Sequence, residues 1–139
     1  MKIDGGCHCG NITYVADIDP GKVGICHCTD CQHLTATAYR VSVQVEKENI
    51  TFSGGAPKIY VKTAESGNQR AHGFCPECGT PLFATSVTDR KAYSLRVGTI
   101  RQKRELRPVR QQWCRSALPW AQDISGLPKS EMGRRQAAP

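Results

Sequence analysis

Eight cysteines stand in this 139-residue chain as Cys7-x-Cys9, Cys26-x-Cys28-x-x-Cys31, Cys75-x-x-Cys78 and a single Cys114. The chain opens Met1-Lys2-Ile3-Asp4-Gly5-Gly6, without the apolar core of a secretory signal. No run reaches the roughly 18 apolar residues of a membrane span. The expected compartment is therefore the reducing cytoplasm, with no membrane partner. Disulfides rarely persist there, so the thiols read as metal ligands or reactive groups. Seven of them, in three short clusters, divide as four and three. Structural zinc is closed by four ligands, whereas catalytic zinc keeps three protein ligands and an open position. The division suggests one of each, two zinc ions per chain.

Cys75-Pro76-Glu77-Cys78-Gly79 is a zinc-knuckle pattern. With Zn–S near 2.3 Å, two sulfurs on a tetrahedral zinc lie about 3.8 Å apart. A two-residue turn achieves that approach, and Gly79 tolerates positive φ. The second pair is expected from Cys7-x-Cys9, whose residues would share one face of a strand. The competing reading for these four is buried, reduced thiols acting as small apolar residues.

Cys26-x-Cys28-x-x-Cys31 offers three thiols in six residues. Thr29 is expected to cap a short helical turn through Leu34, bringing Cys31 back toward Cys28. Three thiolates need a fourth donor: water, a substrate, Cys114 or a histidine. An open site would hold the chemistry. One closed by Cys114 or His33 would be a second structural zinc, and a redox-active thiol trio is a third reading. His27, Asp30 and His33 are candidates for proton transfer or for orienting the ligands; for the histidines an exposed or backbone-bonded ring is the plain alternative. His8 and His72 have no assigned role.

The elements positioning these groups read as strands. Alternation and β-branched content mark Asn11–Ile18, Gly24–His27, Ala38–Val45, Pro57–Thr63, Gln69–Phe74, Pro81–Thr85 and Lys91–Val97. Turn signals separate them at Asp19–Gly21, Ser53–Gly55, Glu65–Asn68 and Gly79–Pro81. Long helical periodicity is absent. The fold class is mostly β: a single zinc-binding domain over 1–124, followed by a polar tail, 125–139, expected to be flexible. Leu, Ile, Val and Phe make up only about 19% of the chain, near the range of disordered sequences, so metal is expected to help hold the fold.

Charge is uneven. The chain carries 19 Lys and Arg against 12 Asp and Glu, a formal net charge of +7. Residues 1–89 hold seven basic and nine acidic side chains, residues 90–139 twelve and three. The Arg101–Arg115 stretch contains six of the basic residues, an anion-attracting patch or simply a solvated face.

The motifs Gly6-Cys7-His8-Cys9-Gly10, Cys26-His27-Cys28-Thr29-Asp30-Cys31 and Phe74-Cys75-Pro76-Glu77-Cys78-Gly79-Thr80-Pro81-Leu82, in this order, resemble those of the glutathione-dependent formaldehyde-activating enzyme family, which includes centromere-protein-V-like domains. The resemblance spans roughly residues 3–120, through Pro108, Trp113 and Pro119-Trp120. It implies an all-β, Mss4-like β-tent. It also implies the same partition: Cys7, Cys9, Cys75 and Cys78 around a structural zinc, and Cys26, Cys28 and Cys31 around a second, open one. Three positions depart from the family pattern: Ala36 replaces a common Gly, Gln32-His33 a commonly basic pair, and Gln111 a common His.

The implied activity is that of a carbon–sulfur lyase joining a small thiol, glutathione, to formaldehyde or a related small aldehyde as an S-hydroxymethyl adduct. Metal coordination removes a thiol proton or polarises the aldehyde, and Arg110 and Arg115 would orient carboxylates by bidentate hydrogen bonds. Two rivals stand beside it. A zinc-stabilised nucleic-acid-binding or interaction module would use the basic half and the aromatics Tyr93, Trp113 and Trp120. A thiol-based reductase would use Cys114, set beside Arg115.

Overall fold

The computed structural model describes residues 1–133. Ten strands and one α-helix follow in the order β1 (Lys2–Gly6), β2 (Ile12–Asp17), β3 (Val23–Cys26), α1 (Thr29–Thr35), β4 (Arg40–Glu46), β5 (Ile50–Gly54), β6 (Lys58–Thr63), β7 (Gln69–Phe74), β8 (Pro81–Ser86), β9 (Ala92–Arg96) and β10 (Arg110–Gln112). The expected mostly β architecture is the one observed.

Two sheets share the chain. A three-stranded sheet runs β1-β2-β5, and a seven-stranded sheet runs β10-β3-β4-β9-β8-β7-β6. All pairings are antiparallel except that of β10 with β3. In β2, Ile12, Tyr14 and Ala16 are buried while Thr13, Val15 and Asp17 face out, the period-two pattern of a strand with one wet face. The core lies between the sheets. Phe52 of the small sheet meets Phe83 and Tyr93 of the large one at ring-centroid distances of 5.3 and 5.5 Å, with Tyr14 packed on Phe52 at 5.9 Å and Phe83 on Tyr93 at 5.0 Å. Each such pair adds about 0.5–1.5 kcal/mol beyond the area it buries.

The large sheet turns its other face away from this core. Paired residues in a sheet share a face, and the register runs a polar row across it. Gly24 and Arg96 both pair with Ser42, Cys26 with Arg40, and Gln44 with Ser94. Ser94 continues to Ala84 and then His72. Arg70 pairs with Lys62, and Arg110 of β10 closes the row beside Gly24. Val43, Val45, Leu95 and Phe83 occupy the alternate, core-facing positions.

Three strands were not marked by alternation. β1 ends in two glycines, β10 is three residues long, and β5 runs through the Ser53-Gly54 pair read above as a turn. Residues 125–133 form no strand or helix and are exposed; 134–139, the rest of the expected tail, lie outside the described residues. Among the described residues no helix is long and apolar enough to cross a membrane.

Candidate metal clusters and cavity

The first cluster forms where the two sheets join. The β1–β2 turn brings Cys7 and Cys9 together at 3.6 Å, and Cys9 lies 3.7 Å from Cys75. These separations match the edge of a tetrahedral zinc–thiolate site. All four sulfurs of Cys7, Cys9, Cys75 and Cys78 lie within 4.8 Å of one another. Cys7 and Cys9 belong to a turn rather than a strand, so a shared strand face is not what aligns them. The Gly10 amide instead closes the turn on the Cys7 carbonyl at 3.1 Å. On the other side the Gly79 amide bonds to the Cys75 carbonyl at 2.8 Å, with Gly79 at φ 77° as its type suggests. Thr80 links the halves: its hydroxyl accepts from the His8 amide at 3.0 Å and lies 3.1 Å from Cys78. That hydroxyl, with backbone amides, pulls the Cys78 thiol down to about 5.

The second cluster, Cys26, Cys28 and Cys31, also lies within 4.8 Å in all pairs. Cys26 ends β3. Cys28, not Thr29, caps α1: its sulfur accepts the Cys31 amide at 3.2 Å, taking the place a serine oxygen would fill. Burial opposes ionisation of Cys28, yet the Cys31 amide and the neighbouring thiols hold it below the usual range. Burial pushes Cys31 up to about 12, with Arg40 pulling the other way and Cys28 and Cys26 adding to the rise. Three thiolates this close repel one another, and a divalent cation is what would allow all three to ionise together. Both clusters therefore fit a thiophilic metal ion by donor type and spacing. No fourth Cys, His, Asp or Glu among the described residues brings a ligand atom within 4.8 Å of all three sulfurs. Cys114 is exposed and belongs to neither cluster.

A cavity of about 240 Å³ opens beside this trio. Cys26 and Cys31 share its wall with Lys22, Arg40, Lys62, Arg70, Arg96 and Arg110. Among the described residues no carboxylate lines it. Only Arg110 comes from the basic stretch singled out in the sequence. Arg115 instead stacks over Trp113, its guanidinium carbon 5.2 Å from the ring centroid, and is not part of the wall. Arg101 pairs with Asp4 at 3.0 Å.

The histidines are redistributed. His27 is buried and does not line the cavity. Its Nε2 lies 2.8 Å from Gln111 Oε1 and must donate to it, its amide donates to Gln112, and its carbonyl accepts from Gln32 Nε2 at 2.8 Å. Gln32 also donates to Ser116 O at 2.8 Å. Gln32 and Gln111, two of the departures from the family pattern, thus clamp the trio's loop to the C-terminal segment. His33 is exposed, and Asp30 pairs with Lys62 at 2.8 Å. Lys62, by hydrogen bond and charge, keeps the Asp30 carboxyl below its usual range.

His72 is the histidine in the cavity wall. Its Nδ1 accepts from Arg96 Nη2 at 3.3 Å, which leaves the ring proton on Nε2. Burial, then Arg96, Arg40, Lys62 and Arg70, bring it down to about 4, so it is neutral at physiological pH. The sequence did carry a signal for this wall. The polar positions of otherwise apolar strands, Arg40-x-Ser42-x-Gln44, Arg70-x-His72 and Ser94-x-Arg96, recur with period two.

The sequence model for glutathione-dependent formaldehyde-activating enzymes matches residues 2–116. No curated protein matches the chain. A Rhodobacter sphaeroides protein of known crystal structure superposes with a TM-score of 0.59 at 18% identity, covering 78% of this chain and 98% of its own. That likeness is one of fold.

Proposed function

The chain belongs to the glutathione-dependent formaldehyde-activating enzyme family, and from that premise we propose that it joins a small thiol, glutathione in the first instance, to formaldehyde at the Cys26–Cys28–Cys31 cluster. The observation that carries this reading is a three-thiol cluster with no fourth side-chain ligand among the described residues, set in the wall of a cationic cavity. Cys7, Cys9, Cys75 and Cys78 would hold a structural zinc, and Cys26, Cys28 and Cys31 a second zinc. When bound there, that ion would supply a lowered thiol pKa or Lewis-acid polarisation of the aldehyde.

The chain's own groups do the rest. In the addition a C–S bond forms, the carbonyl π pair moves to oxygen, and the thiol proton ends on that oxygen; the reverse is carbon–sulfur lysis. Arg110, held by its own bond to the Lys22 carbonyl at 3.2 Å, would bind a carboxylate of the thiol. His72, with its proton on Nε2, offers a neutral hydrogen-bond donor to the developing hydroxyl. His27 acts through the trio's loop, fixing its backbone at both N–H and C=O. A cytoplasmic setting, where small thiols stay reduced, suits the reaction.

The test is the rate of interconversion between glutathione plus formaldehyde and S-hydroxymethylglutathione, read by ¹³C exchange NMR. Zinc-loaded protein should accelerate it, and Cys26→Ser should return it to the uncatalysed value. A native protein that leaves the rate unchanged would overturn the reading.

A further inference from the structure

The cavity holds two guanidinium groups that the proposed addition does not explain. Arg40 and Arg96 are 9% and 6% exposed, and they sit on one face of adjacent strands, with Ser42 paired to Arg96 and Cys26 to Arg40. Arg96 donates to Ser42 Oγ at 3.0 Å, Ser94 O at 3.3 Å, Ser94 Oγ at 3.4 Å and His72 Nδ1 at 3.3 Å. Every one of those partners is neutral. Arg40 Nε is buried with no hydrogen-bond partner. Buried charges are normally paired with an opposite charge, and here two like charges lie together with no carboxylate in the same wall among the described residues.

The surroundings do not supply the missing charge. The salt-bridged carboxylates among the described residues serve other cations: Asp30 pairs with Lys62, Asp4 with Arg101, Asp17 with the N-terminus and Asp89 with Lys91. The trio, with a divalent cation bound, would carry one net negative charge against the five wall cations that remain once Asp30 has paired with Lys62. Lysines on a surface would be solvated and prove nothing. Buried arginines with donors to spare are a different case, because the planar fork is built for oxyanions.

We infer that Arg40 and Arg96, with Ser42 and Ser94 beneath them, form an oxyanion subsite that receives a carboxylate, phosphate or sulfonate group of a substrate whose other end reaches the Cys26–Cys28–Cys31 cluster. Formaldehyde carries no such group, so the anion belongs to the thiol partner. The identity of the reacting end rests on the function proposed above; the subsite itself does not.

Isothermal titration of the zinc-loaded protein with inorganic phosphate, sulfate and succinate, at an ionic strength fixed with chloride, tests the subsite without thiol or aldehyde. Saturable binding is expected, weakened about tenfold or more in both Arg96→Met and Arg40→Gln, as loss of charge-assisted hydrogen bonds requires. Should Arg96→Met fail to fold, Arg40→Gln carries the comparison. Preference for succinate assigns a carboxylate and preference for phosphate or sulfate a tetrahedral anion; either supports the subsite. No saturable binding would overturn it. So would binding unchanged in the variants, which would place the anion on the metal or elsewhere. Failure here leaves the addition reaction standing, and an inactive protein that binds anions through Arg40 and Arg96 leaves the subsite standing.

Discussion

Single residues in this protein show both the reach and the limits of reading a sequence. Cysteine spacing is legible because thiolate–metal distances are fixed by the metal; both clusters assemble from the residues that spacing nominates. Arg40, Arg96 and His72 were marked only by the period-two recurrence of polar positions in otherwise apolar strands, because nothing in a linear count separates an inward-facing arginine from a solvated one. His72 gives a direct check on the electrostatics they create. Its folded value, about 4, lies below the free value near 6.5, so the unfolded chain binds the proton more readily. This group's contribution is therefore full above the free value and is lost as pH falls from about 6.5 toward 4; partial solvent exposure reduces its size. By NMR the His72 ring should remain neutral down to pH 5.5, where an ordinary histidine is about nine-tenths charged. A midpoint near 6.5 would remove the cationic environment described for it.

At the level of elements, the strands with strong alternation fall where the pattern puts them, and Gln69–Phe74 matches residue for residue. Those missed lack that pattern for physical reasons: glycines at the end of β1, and a length of three residues in β10, which depends on β3 for its pairing. The short helix was legible in place but not in its cap, since sulfur is a weak acceptor and Thr29 the better candidate on chemistry alone. Its far end invites a measurement. Ala36 follows α1 at φ 54°, with its amide on His33 O at 3.1 Å and the Thr37 amide on Gln32 O at 3.2 Å, the pair of bonds that usually ends on glycine. A left-handed alanine costs about 1–2 kcal/mol. Glycine gives back about 0.4–1 kcal/mol through its freer unfolded chain. Ala36→Gly should therefore stabilise the protein by about 0.5–1 kcal/mol in urea denaturation; destabilisation would mean the strain is not stored there.

For the molecule as a whole, the two clusters have different mechanical positions. Cys7–Cys78 ties the small sheet to the large one, whereas Cys26–Cys31 lies along a single loop and helix turn. Metal affinity at a site spanning distant chain segments is folding free energy. Cys75→Ser should lower bound zinc from two to one by elemental analysis and cost about 10 °C or more in Tm. Cys26→Ser should lose one zinc with a much smaller fall in Tm. Equal losses would contradict the assignment of a stapling role to the first cluster alone. Bound metal also changes the meaning of the overall charge: seven thiolates and two zinc ions would bring the formal +7 to about +4. Five of the six cavity cations come from outside the basic stretch, so charge density along the chain marked Arg110 and left the other five unmarked.

The parallel pairing of β10 with β3 sets an order of events during synthesis. The trio's loop is complete as sequence by Cys31, but its clamps, Gln111, Gln112 and Ser116, come about eighty residues later. The stapling cluster has all its ligands once Cys78 has emerged. At about 5–20 residues per second, the ribosome exposes that complete ligand set a few seconds before it delivers the strand that fixes the trio. The four-thiol ligand set is therefore complete while the trio's loop is still unclamped.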